Sequence, residues 1–139
     1  MKVLLAHGAG GKETSNLLET LFFSKVDEAL KRTKGGVGID RPDDGAATKL
    51  SDGSYMVLSI DSYTVKPLFF PGGDIGKLAA CGSINDVWVM GAKPMAMMDA
   101  IVIEEGLEFD VLERITHSFL KVLKEEDIPL IGVDLKVMP

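Results

Sequence analysis

Apolar residues recur at helical spacing in three parts of this chain. From about Ser15 to Arg32 they are Leu17, Leu18, Leu21, Phe22, Val26, Ala29 and Leu30. This stripe predicts an amphipathic helix capped by Thr14 or Ser15 and ended by Gly35 and Gly36. Ile75 to about Val89 carries a broader apolar surface in which Ala79 and Gly82 permit close packing, with Asp74 placed to cap its start and Gly91 to end it. Asp110 followed by Glu113 resembles a capping box. The helix it opens runs to about Glu126, with Leu112, Ile115, Phe119, Val122 and Leu123 as its buried stripe.

Shorter runs between these helices predict strands. Ala46 to Leu50 and Tyr55 to Ile60 flank the turn Ser51-Asp52-Gly53 and so form a hairpin. Met95 to Val102 and Leu130 to Val137 are further apolar strands, and Tyr63 to Phe70 is a partly extended edge segment. Lys2 to Ala6 is either a first strand or an extended arm.

Candidate chemistry lies where the apolar pattern stops. Asp44 precedes the first hairpin strand and Asp61 follows the second, so both fall at the same end of an antiparallel pair. Neighbouring carboxylates repel unless a cation or proton lies between them. Mg²⁺ answers that need, because it accepts carboxylate oxygens while bridging substrate phosphates. The alternative is that Asp43, Asp44 and Asp52 simply form turns. Asp86 stands near the C-terminal end of the second helix, where the dipole disfavours an anion, and this points to a cation or basic partner. Asp74 and Asn85 share a face of that helix but lie about 16 Å apart along its axis, too far for one ion to join. Asp134 and Lys136 have matching strand parity and place a carboxylate and an ammonium on one side. The loop from His7 to Gly11 invites a phosphate-binding reading, although it fits neither the Walker nor the dinucleotide pattern; an ordinary connection is the alternative. His7 reads as structural or solvent-facing and His117 as not catalytic, while Glu104 and Glu105 read as a solvated turn, with a part in a cation site as the alternative.

Composition narrows the function classes. A length of 139 residues suits one domain. With 15 basic and 21 acidic residues the formal charge is -6, which argues against nucleic acid or anionic lipid as a partner. Phosphate would then be held locally, by backbone N–H groups, a few lysines and a divalent cation. Cys81 is the only cysteine, which excludes an intrachain disulfide and a cysteine-built zinc site and points to a reducing, cytoplasmic setting. The start MKVLLAHGAGG has neither a signal-peptide apolar region of usual length nor a membrane span.

Several motifs carry a resemblance to a known family. They are HGAGGKET, DDGAATKL, SIDSYTVKPLFFPGGDIGKLAACGSINDVWVMGAKP, IEEGL and VDLKVMP, and their order and spacing cover nearly the whole chain. In these the chain resembles the ATP-binding PurM-like superfamily and, within it, the HypE family of carbamoyl dehydratases that act in NiFe-hydrogenase maturation. The resemblance implies an α/β fold of mixed, mainly antiparallel sheet with packed helices, pairing across a dimer with ATP and Mg²⁺ at the interface. Residues 1–139 would be the AIR synthase-related N-terminal ATP-binding domain, without the family's C-terminal domain.

By the same resemblance Asp44, Asp61, Asp86 and Asp134 surround the metal and phosphates, with Gly10, Gly11, Lys12, Asn85 and Lys136 also at the nucleotide. Asp86 and Lys136 take the catalytic parts. In the family ATP phosphorylates the oxygen of a carbamoyl group on a C-terminal cysteine, and loss of phosphate leaves a thiocyanate. The chain reads Val133-Asp134-Leu135-Lys136 where the family motif is Gly-Asp-Thr-Lys, which removes a close backbone approach and a hydroxyl. Expected partners are a second copy, hydrogenase maturation proteins or a separate C-terminal domain. The competing expectations are a non-enzymatic dimerisation or partner-binding module, and a kinase- or synthetase-like subunit that needs a second chain.

Overall fold

The computed structural model describes residues 2–139, which divide into two compact units, one ending at Leu58 and the other spanning Ser59–Pro139. In the first unit a 3-10 turn, Leu5–Gly8, precedes helix α1, Lys12–Leu18. A π-type turn, Glu19–Phe23, and a second 3-10 turn, Glu28–Leu30, follow. The long helix expected from Ser15 to Arg32 is therefore shorter and starts earlier.

Polar side chains explain the difference. The Thr14 hydroxyl accepts the Gly10 N–H at 3.0 Å, which fixes the loop before the helix. The hydroxyls of Thr20 and Ser24 donate to the carbonyls of Asn16 and Glu19 at 2.8 and 2.7 Å. Such bonds compete with the regular ladder and widen or end a helix. Lys2 to Ala6 forms no strand, because His7 Nδ1 accepts the Leu4 N–H at 2.8 Å and folds the segment into its turn. His7 thus has the structural role expected of it.

The predicted hairpin is present. Strand β1, Ala46–Lys49, pairs antiparallel with β2, Tyr55–Leu58, with Ala46 opposite Leu58 and Lys49 opposite Tyr55. At its tip Gly53 takes a positive φ of 88°, which only glycine adopts without strain. Asp52 accepts from both the N–H and the hydroxyl of Ser54, and these bonds hold its carboxyl below the usual range. Asp52 is a turn former, as the sequence allowed.

The second unit contains the core. Two short strands, β3 (Phe69–Phe70) and β4 (Gly73–Asp74), pair antiparallel and lead into helix α2, Ile75–Val89. Strand β5, Met97–Glu104, helix α3, Phe109–Glu125, and strand β6, Leu130–Met138, make a βαβ unit whose strands run parallel. A helical crossover is the ordinary way to bring two consecutive strands into parallel pairing. Met97 faces Leu130 and Met98 faces Gly132, so Ile131 is the extra residue of a bulge. Two antiparallel pairs and one parallel pair give the mixed α/β class expected.

Ala80 and Ile84 of α2, Phe119, Val122 and Leu123 of α3, and Ile128 are buried together, with Cys81, Met97 and Leu130 packed against them. The helices approach closely at Gly76, where a Cβ would strike the Ile115 carbonyl. The expected capping box at Asp110 is not formed. The chain is extended at Glu108, whose carbonyl accepts the N–H groups of Val111 and Leu112, so Asp110 lies inside the first turn and bonds the Val111 N–H at 2.9 Å. A carboxylate there still faces the positive end of the helix dipole.

Candidate functional site

In the second unit the segment after β2 runs along α2. Ser59 donates its hydroxyl to Asp86 Oδ2 at 2.9 Å, and Tyr63 donates its phenol to Asp61 Oδ2 at 2.8 Å. On α2, Gly82, Ser83 and Asp86 are neighbours by i, i+3 and i+4 spacing and share one face. The Tyr63 ring lies over Gly82 so closely that a Cβ there would strike the phenol oxygen. Glycine at that position is what lets the segment reach the helix.

The electrostatics join the two aspartates through this phenol. Burial first, then the hydrogen bond and charge of Asp61 and the charge of Asp86, push the Tyr63 hydroxyl up to about 12, while Ser83 acts in the opposite direction. Tyr63 is protonated at neutral pH as any tyrosine is, and the shift keeps it a donor further into the alkaline range. Asp61 is exposed and Asp86 is half-buried, so the pair borders solvent.

The remaining predicted residues are distributed differently. Asp134 and Lys136 of β6 form an exposed ion pair, with Nζ 2.6 and 2.8 Å from the two carboxylate oxygens, as strand parity required. Asn85 is exposed on α2 next to Asp86. Asp44 belongs to the first unit, two residues before β1, and the Asp43 carboxylate accepts its N–H at 2.9 Å. Gly10, with φ 76°, Gly11 and Lys12 lead into α1 and are exposed. Among the described residues no group of three or more His, Cys, Asp or Glu side chains is close enough to hold a metal ion. Of the expected acidic set, Asp61 bonds Tyr63 and Asp86 lies near enough to act on the same phenol by charge.

Asp74 is not part of this pair. It is 8% exposed, accepts the Lys77 N–H at 3.0 Å as the cap of α2, and takes the Ser118 hydroxyl at 2.5 Å. It lies about 18 Å along the axis from Asp86. Beside it Phe69, Glu113, Arg114 and His117 line a cavity of about 440 Å³, with the Arg114 guanidinium 4.2 Å from the Phe69 ring centre. On β5, burial pushes the Asp99 carboxyl up, opposed in part by the Ala100 N–H.

Sequence reasoning missed Ser59, Tyr63 and Ser83. A signal was available: Ser59, Asp61 and Tyr63 alternate along one extended segment, and Gly82 stands one helical turn before Asp86.

Residues 42–139 match the family of AIR synthase related proteins, N-terminal domain. The carbamoyl dehydratase HypE of Cupriavidus necator is 36% identical over 137 residues, covering 99% of this chain and 37% of that protein. A crystal structure of a HypE–HypF complex has a TM-score of 0.72 and 38% identity, covering 92% of this chain and 37% of the matched one. HypE in complex with ATP matches with a TM-score of 0.56 and 35% identity over 99% of this chain and 38% of that one. The chain thus spans less than two-fifths of the length of each of these proteins. Among the described residues no helix is long and apolar enough to cross a membrane. On the match over residues 42–139, the chain belongs to the AIR synthase-related family through its N-terminal domain.

Proposed function

We propose that this chain binds ATP with magnesium and is the nucleotide-binding N-terminal part of a HypE-like protein of NiFe-hydrogenase maturation. The observation that carries the reading is the convergence of Asp61 and Asp86 on one neutral phenol at the edge of α2. Two hard oxygen donors bordering solvent suit Mg²⁺, which keeps waters and takes its other ligands from substrate phosphates. The similarity to a HypE structure that holds ATP supports the same ligand here.

Magnesium, when bound, offsets the charge that builds on the γ-phosphoryl and its leaving group. The protein's own part is positional. Asp61 and Asp86 fix the cation and orient the polyphosphate, and the carboxylates do not act as nucleophiles. Lys136 contacts phosphate from β6. Its pairing with Asp134 is exposed, and exposed pairs are weak enough to exchange. In the complete protein the activated oxygen belongs to a thiocarbamate whose dehydration leaves a thiocyanate.

A second reading, a pairing module without turnover, has its own support. Met98 and Val102 are 72 and 67% exposed on one face of the β5–β6 pair, and Val133 and Val137 are 58 and 61% exposed on the opposite face. That much apolar surface on one strand pair favours contact with a second copy of the chain. Thermal unfolding with ATP and Mg²⁺ separates the readings. The nucleotide raises Tm for the unmodified chain and has no effect on Asp61→Asn or Asp86→Asn if the first holds. A well-folded dimer whose Tm ignores ATP and Mg²⁺ is the outcome expected of the pairing module.

A further inference from the structure

We propose that the cavity between the start of α2 and α3 binds a small zwitterion, an α-amino acid whose carboxylate pairs with Arg114 and whose ammonium pairs with Asp74 and Glu113. This site lies at the opposite end of α2 from Asp86 and is independent of the nucleotide reading.

The cavity has the size of a ligand site. Its volume of about 440 Å³ is within the range of ordinary small-molecule pockets, and Phe69, Asp74, Glu113, Arg114 and His117 line it. Opposite charges share this lining without pairing. Among the described residues neither Arg114 nor Glu113 belongs to an ion pair. The Arg114 guanidinium stands over the Phe69 ring instead, 4.2 Å from its centre, and no described group accepts a hydrogen bond from it. A guanidinium has a planar fork of N–H donors that fits a carboxylate through two parallel bonds.

Asp74 presents the opposite need. Both of its described donors, the Lys77 N–H at 3.0 Å and the Ser118 hydroxyl at 2.5 Å, go to Oδ1, so Oδ2 has no protein partner. The residue is only 8% exposed, yet no described polar side-chain atom is both fully buried and unpartnered. Oδ2 therefore opens to solvent, and the cavity is the space that Asp74 lines. Glu113 adds a second negative charge there. His117, four residues after Glu113 on α3, adds a ring donor on the side of Arg114.

This charge arrangement selects the ligand class. An anion alone would meet the carboxylates of Asp74 and Glu113, and a cation alone would meet Arg114; a zwitterion satisfies both signs at once. A metal ion is not the occupant, since among the described residues no group of three or more His, Cys, Asp or Glu can hold one.

The test is an NMR titration of the 139-residue chain with L-alanine, and separately with acetate and with methylammonium, following backbone amide shifts. L-Alanine is expected to give saturable shifts at the amides of residues 73–77 and 113–118, with Kd on the order of 1 mM. Acetate and methylammonium should each bind at least about tenfold more weakly. Arg114→Lys keeps the charge and loses the fork, and Asp74→Asn keeps an acceptor for the helix cap and loses the charge; each should weaken L-alanine binding at least about tenfold. If Asp74→Asn fails to fold, Arg114→Lys decides, because its side chain is exposed. The proposal is overturned if L-alanine gives no saturable shift at these amides up to about 50 mM. It is equally overturned if acetate or methylammonium binds as well as L-alanine, or if the folded variants bind L-alanine as the unmodified chain does.

Discussion

Phe22 and Phe119 occupy similar places in the hydrophobic pattern, each on the apolar stripe of a helical stretch, yet Phe22 is 57% exposed and Phe119 is 6% exposed. The difference lies in what each stripe meets within its own unit. α3 faces α2, where Gly76 and Ala80 let the helices close on one another. The segment from Glu19 onward turns away from α geometry through its own threonine and serine hydroxyls, and no described residue of the first unit is buried. A stripe predicts a core only where a second surface of matching shape is present, since helical stability comes mainly from packing.

Core substitution should give the largest effect on this contrast. Phe119→Ala is expected to cost about 3–5 kcal/mol, through lost burial and the cavity left behind. Phe22→Ala, being mostly exposed, should change stability by less than about 1 kcal/mol. Urea denaturation of both variants checks this, and equal losses would show that the first unit carries a core of its own.

An intermediate effect is expected at the aspartates. Asp74→Ala removes the cap of α2 and the acceptor of the Ser118 hydroxyl, costing about 1–3 kcal/mol. Asp52→Ala removes bonds of an exposed turn only and should cost about 0.5 kcal/mol. Similar values for the two would mean that burial of Asp74 adds nothing to its role as a cap.

The smallest effect concerns Tyr63. Its hydroxyl is raised from the ordinary value of 10.0 to about 12, so the folded state favours the protonated phenol. The unfolded chain ionises first. The contribution to stability is complete below pH 10.0 and is lost as pH rises toward about 12. Spectrophotometric titration should show a tyrosinate step near pH 12 that is missing from Tyr63→Phe. Stability should fall less steeply in Tyr63→Phe over that range.

Much of the second unit was legible in the sequence because its signals are local and agree with one another. The α2 cap at Asp74, the end of that helix at Met90 and Gly91, and the stripe of α3 all follow from patterns read within a turn or two. The first unit was less legible because several weak local bonds outweighed periodicity there, as at His7, Thr14 and Ser24. The misfit of Asp86 with the helix dipole drew attention to the C-terminal end of α2, where Ser59 donates to its carboxylate. Tyr63 escaped notice because its importance depends on a glycine 19 positions later, a tertiary relation that no local pattern encodes.

The central claim is that the acidic pair at the edge of α2 serves a metal-bound nucleotide. Calorimetric titration of ATP into the chain with Mg²⁺ and again with excess chelator tests it most directly. The account predicts saturable binding with magnesium that weakens at least about tenfold when the metal is removed. Equal binding in both conditions, or none in either, would contradict it.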